Sequence, residues 1–114
     1  MTYDFAKHIV LLYRYLTENA PIREFNLSNQ LERSATSIGA NVREAKYAQS
    51  KADFLTKMTI ALKEANESIY WLNLLQDGAY LNEGQAQSIM EEAASIKRVL
   101  TSIVKTTRES LNKQ

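Results

Sequence analysis

Residues 50–78 read SKADFLTKMTIALKEANESIYWLNLLQDG, and this stretch decides the fold class. Ser50-Lys51-Ala52-Asp53 opens it as a helix start, because the serine oxygen can accept the backbone N–H three residues on. Asp53 stands where a capping box usually has Glu or Gln, and it also suits the positive end of the helix. Leu55, Met58, Leu62, Ala65, Ile69 and Leu72 then recur with a seven-residue period, and a second apolar row holds Phe54, Ile60, Ala61, Trp71, Leu74 and Leu75. A helix that is apolar on more than one face needs more than one neighbour. Asp77-Gly78 closes the segment, with glycine expected at the stop position.

Helical periodicity continues on both sides. Upstream, about residues 27–48 carry a narrow stripe of Leu31, Ala35, Ile38, Val42 and Ala45, set among Ser34, Thr36, Ser37, Gly39 and Ala40. Gly39 costs such a helix about 1 kcal/mol relative to alanine, which predicts close approach of another helix. Before it, residues 3–18 repeat Phe5, Ile9, Leu12, Tyr13 and Leu16, and Ala20-Pro21 ends that run because proline cannot continue the hydrogen-bond ladder. Downstream, Asn82 caps a helix over residues 83–112, whose stripe is Ala86, Ile89, Met90, Ala93, Ile96, Leu100, Ile103 and Val104. Nowhere do apolar and polar residues alternate as in a strand. Long helices with short connections predict an all-α, antiparallel up-down-up-down four-helix bundle as a single domain over 1–114. A three-helix bundle with a detached first helix is the alternative.

The chain has 114 residues, 45% of them hydrophobic and 24% charged, with three Gly, one Pro and no Cys. That composition excludes a collagen-like rod, a disordered tail and a disulfide scaffold. The net charge of +1 conceals a segregation. Arg33, Arg43, Lys46, Lys51, Lys57 and Lys63 against Glu44 and Asp53 give residues 33–63 a balance of +4. Six acids and no base give residues 64–92 a balance of −6, and residues 93–114 return to +4. Antiparallel packing gathers the basic segments at one pole. Arg43, Lys46, Lys51, Lys57, Lys105 and Arg108 are then candidate phosphate contacts for RNA or DNA. The alternatives are a solvated surface or a polarity that orients subunits.

Catalytic chemistry is not expected. His8 is the only histidine and cysteine is absent, so there is no His/Cys cluster for a transition metal. No phosphate loop, nucleophile elbow or His-Glu-x-x-His motif occurs, and no cofactor is predicted. The apolar run Ile9–Tyr13 is broken by Arg14, too short for a targeting signal or a membrane span. The expectation is a cytoplasmic protein with no membrane partner. Adjacent Tyr70 and Trp71 point in two directions, one ring serving the chain's own core and the other available to a neighbour. Exposed aromatics beside basic residues can also stack single-stranded bases.

The spaced set Gln30-Leu31-x-Arg33-Ser34-Ala35, Ser37-Ile38-x-x-Asn41-x-x-Glu44, Phe54, Ile60-Ala61 and Glu67 resembles the bacterial 23S ribosomal RNA intervening-sequence protein family. The resemblance implies a four-helix bundle that assembles into a homopentameric, barrel-like ring. It also implies a relation to the accessory protein of diversity-generating retroelements, whose basic surface is thought to engage nucleic acid and a reverse transcriptase. The chain departs from the pattern at Gly39, where many members have proline, and at Arg43 and Ala45, where many have alanine and glycine. Beside the resemblance, Asn41, Glu44 and Glu67 lie close to apolar stripes. Paired with Arg43, Lys46 or Lys63 they would form a polar cluster that fixes helix register; exposed, they would do nothing of the kind. Two functional expectations follow. One is a non-enzymatic homo-oligomeric bundle that binds RNA or DNA through a basic pole, and the other is an oligomeric scaffold that docks a protein partner and binds no nucleic acid.

Overall fold

The computed structural model describes residues 1–19 and 21–113. Four helices follow one another: α1 (Thr2–Glu18), α2 (Asn26–Lys46), α3 (Lys51–Asp77) and α4 (Glu83–Asn112). Each packs on the helix before it, and α4 also returns to α1, while the diagonal pairs do not meet among the described residues. The result is the up-down-up-down four-helix bundle that the periodicity predicts, with α1 joined to the others rather than detached. It is elongated, 56 × 22 × 20 Å.

The core alternates large and small side chains. Its layers are built from Phe5, Ile9 and Leu16 of α1, Leu31, Ala35, Ile38 and Ala45 of α2, Met58, Ala61, Ala65, Leu72 and Leu75 of α3, and Ala86, Ala93, Ile96, Leu100 and Val104 of α4. Alanines where two helices cross let the neighbouring Leu, Ile and Phe fill the space. Leu12, Val42, Ile89, Met90 and Ile103, expected on the inner stripes, are half-buried and pack against the edge of this core.

Local chemistry sets the helix ends. Ser50 Oγ accepts from Asp53 N at 3.0 Å, and the Asp53 carboxylate reaches back to Gln49 N at 3.4 Å, one residue short of a full capping box. At α4 the box is complete, with Asn82 Oδ1 accepting from Gln85 N at 2.8 Å and Gln85 Oε1 from Asn82 N at 3.0 Å. Helix α2 stops at Lys46, two residues before the expected end, because the Tyr47 and Ala48 amides tighten to the Glu44 and Ala45 carbonyls. Helix α1 ends at Glu18 with Asn19 as its cap; of the predicted Ala20-Pro21 stop, Ala20 lies outside the described residues.

The end of α3 departs from expectation by one residue. Gly78 caps the helix with an ordinary φ of −80°, and the left-handed position falls on Ala79, φ 66°. Ala79 N bonds to Gln76 O at 3.0 Å and Tyr80 N to Leu75 O at 2.9 Å, the paired bonds of a Schellman ending, in which the left-handed residue is usually glycine. A Cβ there costs on the order of 1 kcal/mol. Ala79→Gly is therefore expected to stabilise the fold by about 1 kcal/mol, raising the thermal midpoint by roughly 4 °C; a lower midpoint would contradict the assignment.

Candidate nucleic-acid interface

The turn 47–50 sets the start of α3 beside the end of α2. Lys51 Nζ donates to Ser110 Oγ at 2.7 Å, which brings the last turns of α4 to the same place. Helix α1 does not extend that far. Met1 and Asp4 share a cleft with Ser95 and Ile96 of α4, so α4 runs on beyond the start of α1 from Lys97 to Asn112. One end of the bundle is thus built from three helices, and all six candidate bases stand on those segments.

Their surroundings differ. Lys57 Nζ pairs with Glu44 Oε2 at 3.3 Å, and Lys51 is committed to Ser110. Arg43, Lys46, Lys105 and Arg108 are exposed and, among the described residues, make no ion pair. Arg43 and Lys46 lie in the last turn of α2, where they also suit the negative end of that helix. Arg43 lines an open groove with Thr2 and Tyr3 of α1.

The three members of the candidate polar cluster are not brought together. Asn41 Nδ2 donates to Ser37 O and Oγ of its own helix, at 2.9 and 3.2 Å. Glu44 belongs to the Lys57 pair. Glu67 takes Arg33 Nη2 at 2.8 Å, and Arg33 Nη1 reaches Glu64 Oε2 at 3.4 Å. Arg33 and Glu64, which reasoning from the stripes passed over, therefore tie α2 to α3. One turn on, Ser34 and Ser68 share a buried hydrogen bond of 2.8 Å, with Ser68 Oγ also donating to Glu64 O at 2.9 Å.

One guanidinium between two carboxylates leaves a negative charge half-buried. Burial, then the hydrogen bond and charge of Glu67, push the Glu64 carboxyl above the usual 4.5. The Arg33 hydrogen bond holds Glu67 below it. The folded state keeps the Glu64 proton to higher pH than the unfolded chain, so the stability it contributes is present below pH 4.5 and lost as pH rises through the raised value. Glu67 acts oppositely, and its contribution is lost as pH falls through its lowered value. Glu64→Gln keeps the shape without the charge. It is expected to be more stable than the parent at neutral pH, with the difference narrowing as pH falls towards 4.5 in urea titrations; a difference that widens would be inconsistent with this account.

Elsewhere, His8 Nδ1 sits 2.9 Å from both oxygens of Glu92, linking α1 to α4. Tyr70 is exposed and meets half-buried Trp71 edge-on, with centroids 5.0 Å apart at 71°. Among the described residues no three His, Cys, Asp or Glu side chains gather as a metal site, and no helix is long and apolar enough to cross a membrane.

The model of one protein family, the 23S rRNA-intervening sequence protein, matches residues 1–102. The chain belongs to that family. This member is also similar to a crystal structure, at 1.70 Å, of a protein of unknown function from the S23 ribosomal protein family of Bacteroides thetaiotaomicron. The identity is 49% and the TM-score 0.87, over 91% of this chain and 94% of that one. No curated protein matches significantly. Family and geometry together describe a small, all-helical protein.

Proposed function

We propose that this family member is a single four-helix-bundle domain over 1–114 that self-associates, as a pentameric ring, and binds RNA or DNA through its basic end. The observation that carries this reading is the set of four exposed bases without an ion pair among the described residues, Arg43, Lys46, Lys105 and Arg108, on helix segments that converge at one end. Lys51 and Lys57 act there by adding to the field rather than by direct contact. Phosphate oxygens are the anions that such a surface meets in the cytoplasm, and contacts of this kind carry no sequence information. Apolar side chains that the bundle leaves exposed, Leu11 on α1 and Ile60 and Tyr70 on α3, favour contact between copies. A relation to the accessory protein of diversity-generating retroelements is part of the same proposal.

The test is a titration of labelled single-stranded and structured RNA and DNA at low and physiological salt, with light scattering for particle mass. Binding is expected to weaken steeply with salt. The double substitution Arg43→Glu with Lys105→Glu should lower affinity at least tenfold and flatten the salt slope by about one per lost phosphate contact. An unchanged particle mass would show that the charges act on the ligand. No binding even at low salt would favour the scaffold that docks a protein partner.

A further inference from the structure

Gly39 is not explained by the packing of its own chain. A Cβ built on it would lie 3.7 Å from Thr2 O and 3.8 Å from Thr2 Oγ1, ordinary van der Waals distances. Alanine would fit without a shift and would make a better helix. The close approach that the sequence led us to expect is therefore not what glycine serves. It lies on the floor of an open groove of about 540 Å³ between the start of α1 and the last turns of α2. Thr2, Tyr3 and Ala6 form one side, and Gly39, Ala40 and Arg43 the other.

The groove and its surroundings have a definite chemistry. Tyr3, which lines it, is 77% exposed, and Tyr47, beyond the end of α2, is 75% exposed, far more than a ring gains from serving its own fold. Tyr47, the residue that caps α2, comes four positions after Arg43 and lies just past the groove's lining. Arg43 lines the groove on the side facing Tyr3, and neither it nor Lys46 makes an ion pair among the described residues. Of the carboxylates near Arg43 in sequence, Glu44 is held by Lys57. An exposed ring facing a free cation across a floor of glycine and small side chains suits an unstacked base whose phosphate lies on the rim. A duplex keeps its base faces stacked and offers such rings nothing to cover.

We propose that the α1–α2 groove is a stacking site for unpaired bases, which makes single-stranded nucleic acid the preferred ligand of the basic end. This rests on the reading of that end as a nucleic-acid surface and adds what the charges alone do not give, a preference for single strands over duplex.

The experiment uses the full chain with labelled oligo(dT), oligo(U) and a blunt DNA duplex of equal length. The single strands are expected to bind at least tenfold more tightly than the duplex. Tyr3→Ala and Tyr47→Ala, both at exposed positions, should each weaken single-strand binding about tenfold while leaving the salt slope and the duplex affinity unchanged, because tyrosine carries no charge. Gly39→Leu fills the floor with a better helix former and should abolish the single-strand preference without lowering the melting temperature. Tighter oligo(U) than oligo(dT) binding would add a contact to the 2′-hydroxyl and support the site equally. Equal binding of strands and duplex, insensitive to both tyrosines, would overturn the groove and leave the basic end standing. A change of particle mass in Gly39→Leu would overturn it in favour of an interface between copies. No binding of any probe would remove the basic-end reading and the groove together.

Discussion

Phe5→Ala is expected to destabilise the protein by about 3–5 kcal/mol, the range for removing a fully buried ring that its surroundings cannot replace. Phe5 is wholly enclosed, and together with Ile9 and Leu16 it supplies the fully buried apolar anchors of α1. Helix α1 has 17 residues, touches only α2 and α4, and meets α4 sparsely, so it has little else to hold it. A loss of that size is a large part of the roughly 5–15 kcal/mol that stabilises a domain. We expect it to appear first as release of α1. In a urea titration, far-UV circular dichroism should then begin to fall before the fluorescence of Trp71, the only tryptophan, on α3. Coincident transitions at the parent midpoint would refute this view of α1.

Glu24→Ala should cost about 2–3 kcal/mol, from two backbone amides and a hydroxyl left without a charged acceptor. The residue at the cap of α2 is Phe25, whose side chain cannot accept a hydrogen bond. Glu24, one residue outside, does so instead. Its Oε1 takes Leu27 N at 2.8 Å, and its Oε2 takes Ser28 N at 2.8 Å and Ser28 Oγ at 2.5 Å. Both residues are buried, so water does not replace the lost acceptor. Glu24→Gln retains one acceptor oxygen and should lose about half as much. Equal midpoints for parent and alanine variant in chemical denaturation would show that the cap contributes nothing.

The helices and two of their caps were legible because their signals are local. Ser50 and Asn82 act on amides three residues away, and apolar periodicity needs no knowledge of the partner. The Glu24 cap was not legible, since it depends on a turn in which Arg23 takes φ 40° and folds the glutamate back over the helix start. The shift of the left-handed residue from Gly78 to Ala79 was hidden for a similar reason: several hydrogen-bond patterns end a helix at the same glycine. The polar ties between α2 and α3 were missed through the choice of signal. Arg33 and Glu64 lie at equal distances from the 47–50 connection, whereas Ser68 and Lys57 stand farther from it than their partners Ser34 and Glu44. Counting outward from that turn pairs the first of these and not the other two, which depend on the stagger of the helices; closeness to an apolar stripe pairs none. The basic end could be anticipated because segment charge and antiparallel topology suffice to gather it. That Lys51 and Lys57 would be engaged there was a matter of side-chain reach.

The order in which the helices touch has a consequence for how the chain folds. Each helix packs on its predecessor, and α2 with α3 forms the most extensive interface. Most of the structure is therefore hairpins between neighbours in sequence, a low contact order of the kind that folds in microseconds to milliseconds. The exception is the seam between α1 and α4, where His8 meets Glu92 across nearly the whole length of the chain. Closing it carries the largest loop entropy for the fewest contacts. That seam is expected to form last and open first, so amide exchange in α1 should outpace exchange in the middle of α3.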